Sequence, residues 1–171
     1  MKNIFWFLVL AVVASGCVIM PTASAVKPGM ISDFKTTQTI TIENTAENGA
    51  YKRWTNPLVK SLFRELALKG AAITGNASTI LKVKITNVKQ DSFYSLLTNK
   101  CSFDVEVTTG TGYTTNFSLS DVSWNMQKSA NALIRKAVVE ILNDKEIVEY
   151  LRGKESVVKA QMDALDNNNT R

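Results

Sequence analysis

Few side chains in this sequence could do chemistry, and their spacing limits which chemistry is open. Asp104 and Glu106, two apart in "CSFDVEVT", share one face of a strand and have the geometry of a glycosidase carboxylate pair. Lys82 and Lys84 in "TILKVKI" share a strand face in the same way, which gives the two carboxylates a plainer reading as half of a solvated, charge-paired surface. Lys60-Ser61 and Lys128-Ser129 set an amine beside a hydroxyl, but adjacent residues on a helix do not face each other, so neither makes a serine–lysine dyad. There is no G-x-S-x-G motif, and Gly110-x-Gly112 lacks the following helix that a phosphate cradle needs. The chain contains no histidine, which removes the commonest general base and the commonest metal ligand together. No catalytic residue, metal or cofactor is expected, and a hydrolase is the least favoured class.

Two cysteines remain. Cys17 follows Lys2 and the apolar run from Ile4 to Val13, a run of signal-core length that is too short to span a bilayer. Ala14-Ser15-Gly16-Cys17 resembles the lipobox of bacterial lipoproteins, with small residues before a cysteine whose thiol accepts diacylglycerol, although Ala14 stands where leucine is commonest. A second cut, after Ala23-Ser24-Ala25, would release a soluble chain, but it lies about a dozen residues past the apolar core, far for a peptidase at the membrane surface. Lipidation at Cys17 is therefore the expectation, with several acyl chains holding the protein at about 0.8 kcal/mol per buried methylene. Val18 is not the aspartate that retains enterobacterial lipoproteins in the inner membrane, so the resemblance implies the outer membrane, facing the periplasm. Cys101 is then the one remaining thiol, and its alternating neighbours predict a small buried apolar residue.

Composition agrees with an exported, non-nucleic-acid-binding chain. Twenty basic and fifteen acidic side chains give +5, and losing Lys2 with residues 1–16 leaves nineteen against fifteen, or +4. That mild excess suits anionic lipid or glycan and is too diffuse for nucleic acid.

The elements that must position these residues follow from periodicity. Ile40 and Ile42 mark a first strand at about 36–43, Asn48-Gly49 a turn, and Asn56-Pro57 the cap and first position of a helix striped by Leu58, Val59, Leu62, Phe63 and Leu66 and closed by Gly70. "TILKVKI", "CSFDVEVT" and the Tyr113–Leu119 stretch alternate cleanly, as strands of an antiparallel sheet wet on one side do. Ala130 to Leu142 forms a strong amphipathic stripe, and Asn143 with Glu146 predicts a capping box opening a short helix. The expected fold is α+β, a two-layer sandwich with helices on one face of a small, mainly antiparallel sheet, in the order β-α-β-β-β-α-α. The expected organisation is a lipoprotein signal peptide at 1–16, the lipidated cysteine and a flexible tether at 17–34, an α+β domain at 35–153, and a marginal helix and disordered tail at 154–171.

With lipobox, tether, "LALKGAAI", "STILKVKITNV" and the closing "ANALIRKAVVEILNDKEIVEYLRGK" in this order, the chain resembles the YajG-type bacterial outer-membrane lipoproteins over nearly all of its mature length. That resemblance implies a small outer-membrane lipoprotein without an established reaction, and it carries no catalytic residues.

Two surfaces are candidates for binding. "QDSFYSLLTNK", residues 90–100, puts Phe93, Tyr94, Leu96 and Leu97 in an expected hairpin loop, where four large apolar residues suit either contact with a partner or membrane, or burial within the domain by a loop that folds back over the sheet or extends both strands. Lys82, Lys84 and Lys89 could hold anionic groups. The leading expectation is a non-enzymatic accessory or docking subunit of an envelope protein complex, anchored through its N-terminal lipid. The alternative is a periplasmic binding module for lipid, lipopolysaccharide or peptidoglycan.

Overall fold

The structure is a computed structural model that describes residues 20–95 and 98–153, with the side chains of 93–95 also outside the description. β1 (Thr39–Asn44) leads into helix α1 (Gly49–Leu68), then β2 (Ala72–Ile73), β3 (Thr79–Ser95), β4 (Thr98–Thr109), β5 (Thr114–Ser123), α2 (Met126–Asn143) and α3 (Lys145–Leu151). The sheet order is β2-β1-β3-β4-β5. β1 runs parallel to β2 and β3, while β3, β4 and β5 form a long antiparallel meander. The helices cover one face. The expected α+β fold and element order are the observed ones, with the two-residue edge strand β2 added.

Alternation decides which side chains enter the core. Ile40, Ile42, Leu81, Val83, Ile85, Cys101, Phe103, Val105 and Val107 face Leu58, Leu62 and Leu66 of α1 and Leu133, Ile134, Val138 and Ile141 of α2, all buried. Each fully buried side chain of this size contributes about 1.5–3 kcal/mol.

α1 starts two turns earlier than its proline suggested. Asn48 is the cap, its side chain accepting from the Ala50 amide at 2.7 Å, and Pro57 sits inside the helix. Packing outweighs the missing amide at Pro57. Trp54, in the added turns, is buried edge-on to Phe103 with ring centroids 6.0 Å apart. The buried Thr55 hydroxyl donates to the Tyr51 carbonyl at 2.9 Å and accepts from the Ile85 amide at 3.0 Å, serving the edge of β3 just beyond the end of β1. At the other end of the fold, Asp144 rather than Asn143 caps α3, accepting from the Ile147 amide at 3.0 Å.

β3 and β4 extend through the residues expected to form a loop, leaving only 96–97 between them. A bulge between Thr86 and Lys89, where Asn87 adopts φ 51°, lets the strand add one residue against β4. Asparagine tolerates this left-handed conformation. The shift keeps Val88 against the core and turns Lys89 outward beside Ser102.

Candidate functional site

Residues 20–34, the described part of the expected tether, form no helix or strand but lie along both long helices. The Thr22 amide donates to Asn131 Oδ1 at 2.9 Å, the Ser24 amide to Ser61 Oγ at 3.1 Å and the Val26 amide to Glu65 Oε1 at 3.2 Å. Gln127 Nε2 donates to the Met20 carbonyl at 2.8 Å. Asn143, released from capping, accepts from the amide and hydroxyl of Ser32 at 2.7 Å each and donates to the Met30 carbonyl at 2.9 Å. Pro21 and Phe34 are buried, and Met20, Val26 and Ile31 pack on the core. The strap is held because a segment without its own ladder must satisfy its backbone elsewhere, and here side chains do it.

Ser61 and Glu65, one helical turn apart, are buried on α1, and buried polar groups require partners.

The strap fixes a direction. Met20 lies at the first turn of α2 and Ser32 at its last residue. The first turn of α2 follows the end of β5, where Ser123 pairs with Asn99 and Asn99 Nδ2 donates to the Trp124 carbonyl at 3.1 Å. Chain entering at Met20 therefore arrives at the end of the domain that carries the β3–β4 hairpin. Here Trp124 is 66% exposed, with the Lys128 ammonium 4.4 Å over its ring, and Val122 beside it is 50% exposed. Nothing in the sequence pattern distinguished Trp124, since its exposure depends on where β5 ends.

The outer sheet face holds the candidate lysines and carboxylates. Lys84 pairs with Glu106 at 2.8 Å, and Lys82 and Lys89 are exposed on the same face. Asp104 accepts from Asn87 Nδ2 at 2.7 Å; this bond, a second from Ser118 and the charge of Lys89 hold its carboxyl below the usual carboxylate range. With Glu106 paired to Lys84 and Asp104 bonded to Asn87 beside Lys89, the two carboxylates form part of a charge-paired strand surface. Around them Asn87, Lys89, Lys100, Ser102, Asp104, Ser118 and Ser120 line a shallow concavity of about 430 Å³.

The hydroxyls beside lysines are engaged too. Ser61 accepts from the strap, and Ser129 Oγ donates to the Asp121 carbonyl at 2.8 Å. Cys101 is fully buried, and burial first, then the charges of Asp121 and Asp91, push its thiol up to about 11. Cys17, Leu96 and Leu97 lie outside the described residues; Phe93 and Tyr94 are placed on β3, with their side chains outside the description. Among the described residues there is no cluster of three or more potential His, Cys, Asp or Glu metal ligands, and no helix is long and apolar enough to cross a membrane.

No protein-family model and no curated protein matches the sequence. The class defined by the structure is the two-layer α+β sandwich, and the chain is similar to several solved structures. A minor lipoprotein from Acinetobacter baumannii is 13% identical with a TM-score of 0.48, covering 63% of this chain and 90% of its own. A Caulobacter crescentus protein provisionally described as a lipoprotein is 14% identical with a TM-score of 0.49, covering 68% and 92%. The rare lipoprotein B of Shewanella oneidensis is 12% identical with a TM-score of 0.38, covering 78% and 99%. Likeness at these levels says nothing about activity or partners.

Proposed function

We propose that the chain is a non-enzymatic lipoprotein of the YajG type, anchored in the outer membrane through Cys17, facing the periplasm, and serving as an accessory or docking subunit of an envelope protein complex. The observation that carries this reading is the strap. The chain is fastened to the domain from Met20 onward, three residues after the candidate lipidation site, so the proposed anchor lies a short stretch of chain from a fixed point on the domain. The candidate catalytic side chains Asp104, Glu106, Ser61 and Ser129 are each engaged in a structural bond. The partner-binding element in this reading is the β3–β4 hairpin, which bears Phe93, Tyr94, Leu96 and Leu97.

The test has two parts. Labelling with a palmitate analogue, followed by membrane fractionation, should place the wild-type chain in the outer membrane, and Cys17→Ser should abolish the label. Crosslinked complexes from mildly solubilised membranes should lose their partner when Phe93 and Tyr94 are both changed to Ser. The anionic-ligand alternative rests on the concavity beside Lys89, and the ionised Asp104 within it works against an anion. Salt-sensitive binding to anionic lipid that vanishes on Lys82→Gln/Lys89→Gln would favour that alternative.

A further inference from the structure

We infer that the hairpin end of the domain, at Trp124, Val122 and Lys128, seats on the phospholipid bilayer surface. This inference rests on the proposed lipidation of Cys17. From Cys17 to Met20 is three residues, which span at most about 11 Å fully extended. Met20 is itself fixed at the first turn of α2 by Gln127, and the next anchor follows two residues later at Asn131. The lipid is thus confined to a short radius around this end of the domain and cannot reach the far end, where Asn143 holds Ser32.

The surface presented there suits an interface. Trp124 is the large aromatic with a described exposed side chain, 66% accessible, while Trp54 is 3% exposed within the core. An indole at the end of a domain, with an apolar body and a polar N–H, fits the headgroup level of a bilayer. Lys128 stacks over its ring at 4.4 Å and would bring an ammonium to the phosphate layer, and Val122, two residues earlier at the end of β5, is 50% exposed. With this end down, the β3–β4 hairpin meets its proposed partner at the membrane surface, and the polar sheet face remains open to the periplasm.

The tryptophan inventory makes the inference measurable. Three tryptophans exist: Trp6 leaves with the signal segment, Trp54 is buried and Trp124 is exposed. The full chain, expressed in a lipoprotein-processing bacterium, would be purified and reconstituted into phosphatidylethanolamine–phosphatidylglycerol vesicles with and without brominated acyl chains. Mass spectrometry of the N-terminal peptide reports lipid on Cys17 independently. The expected result is a lipidated chain that loses at least a third of its tryptophan emission to brominated lipid, with the loss absent in Trp124→Phe, whose position is exposed and tolerant. A lipidated, vesicle-bound chain with unquenched emission, and with Trp124 open to aqueous iodide, overturns the seat while leaving the anchor intact. Absence of lipid on Cys17 overturns both. Equal quenching of wild type and Trp124→Phe also overturns the seat, because the quenched residue is then not Trp124.

Discussion

Phe34 is the residue at which a free tether and a docked strap predict opposite outcomes. Its ring is 2% exposed, with the Lys69 ammonium 5.3 Å and the Arg152 guanidinium 5.9 Å from its centroid. Lys69 is itself positioned by the strap, donating to the Ser32 carbonyl at 2.9 Å. Phe34→Ala removes a buried aromatic from a closed core, which costs about 3–5 kcal/mol in lost transfer energy and cavity. Each cation–ring contact adds about 0.5–1 kcal/mol to what the ring contributes. Phe34→Leu keeps most of the apolar volume, and such volume-conserving changes cost under about 1.5 kcal/mol. The assay is urea unfolding of the signal-less chain carrying Cys17→Ser, read by the buried Trp54 with the m-value held as a check on two-state behaviour. A domain of this size loses about 2–5 °C of midpoint per kcal/mol, so Phe34→Ala should also lower the thermal midpoint by roughly 10 °C or more. Hydrogen exchange gives an independent reading, because the amides of Thr22, Ser24, Val26 and Ser32 should all be protected in the wild type. A loss below about 1 kcal/mol in Phe34→Ala, together with unprotected strap amides, would refute the docked strap, since a solvated tether residue contributes within about 0.5 kcal/mol.

Thr55→Val should cost about 1–3 kcal/mol in the same unfolding assay despite its near-equal volume, because the Ile85 amide loses its acceptor in a buried position. Cys101 should resist thiol reagents in the native fold and react after denaturation. Its proton is held to about pH 11 in the fold against 9.0 for an ordinary thiol, so the unfolded chain releases it first and stability should fall as pH rises through that window; Cys101→Ala should flatten the slope. Gly110→Ala should destabilise the β4–β5 turn, since a Cβ there would meet Tyr150 Oη at 2.6 Å, and that hydroxyl accepts from the amides of Ile80 and Gly110; a melt unchanged within 1 °C would count against this packing. Changing both Phe93 and Tyr94 to Ser should leave the thermal midpoint nearly unchanged while removing the partner, whereas a drop of ten degrees or more would show that these rings belong to the core.

The β-strand alternation and the stripe on α2 were legible because both depend on local periodicity, and burial of Leu81, Val83, Ile85, Phe103, Val105 and Ile141 followed from it directly. Cys101 was readable for the same reason. The start of α1 was not, because Asn56-Pro57 is a strong local start signal and only the packing of Trp54 on Phe103 and the bond from Ile85 to Thr55 outweigh it. Local chemistry made Asn143 a fitting cap, yet Asp144 takes that role and Asn143 binds the strap, a choice set by residues more than a hundred positions away. The loop between β3 and β4 became strand because ladder hydrogen bonds with a partner satisfy more backbone groups than an open loop would. The sequence by itself determined the wet and dry faces of the sheet and the lack of histidine chemistry, and the proposal of lipid at Cys17 rests on it alone. Tertiary structure alone decided that residues 20–34 are fastened along both helices and that Trp124 stands at the end where they begin, because aperiodic chain carries no local code for where its amides will find acceptors.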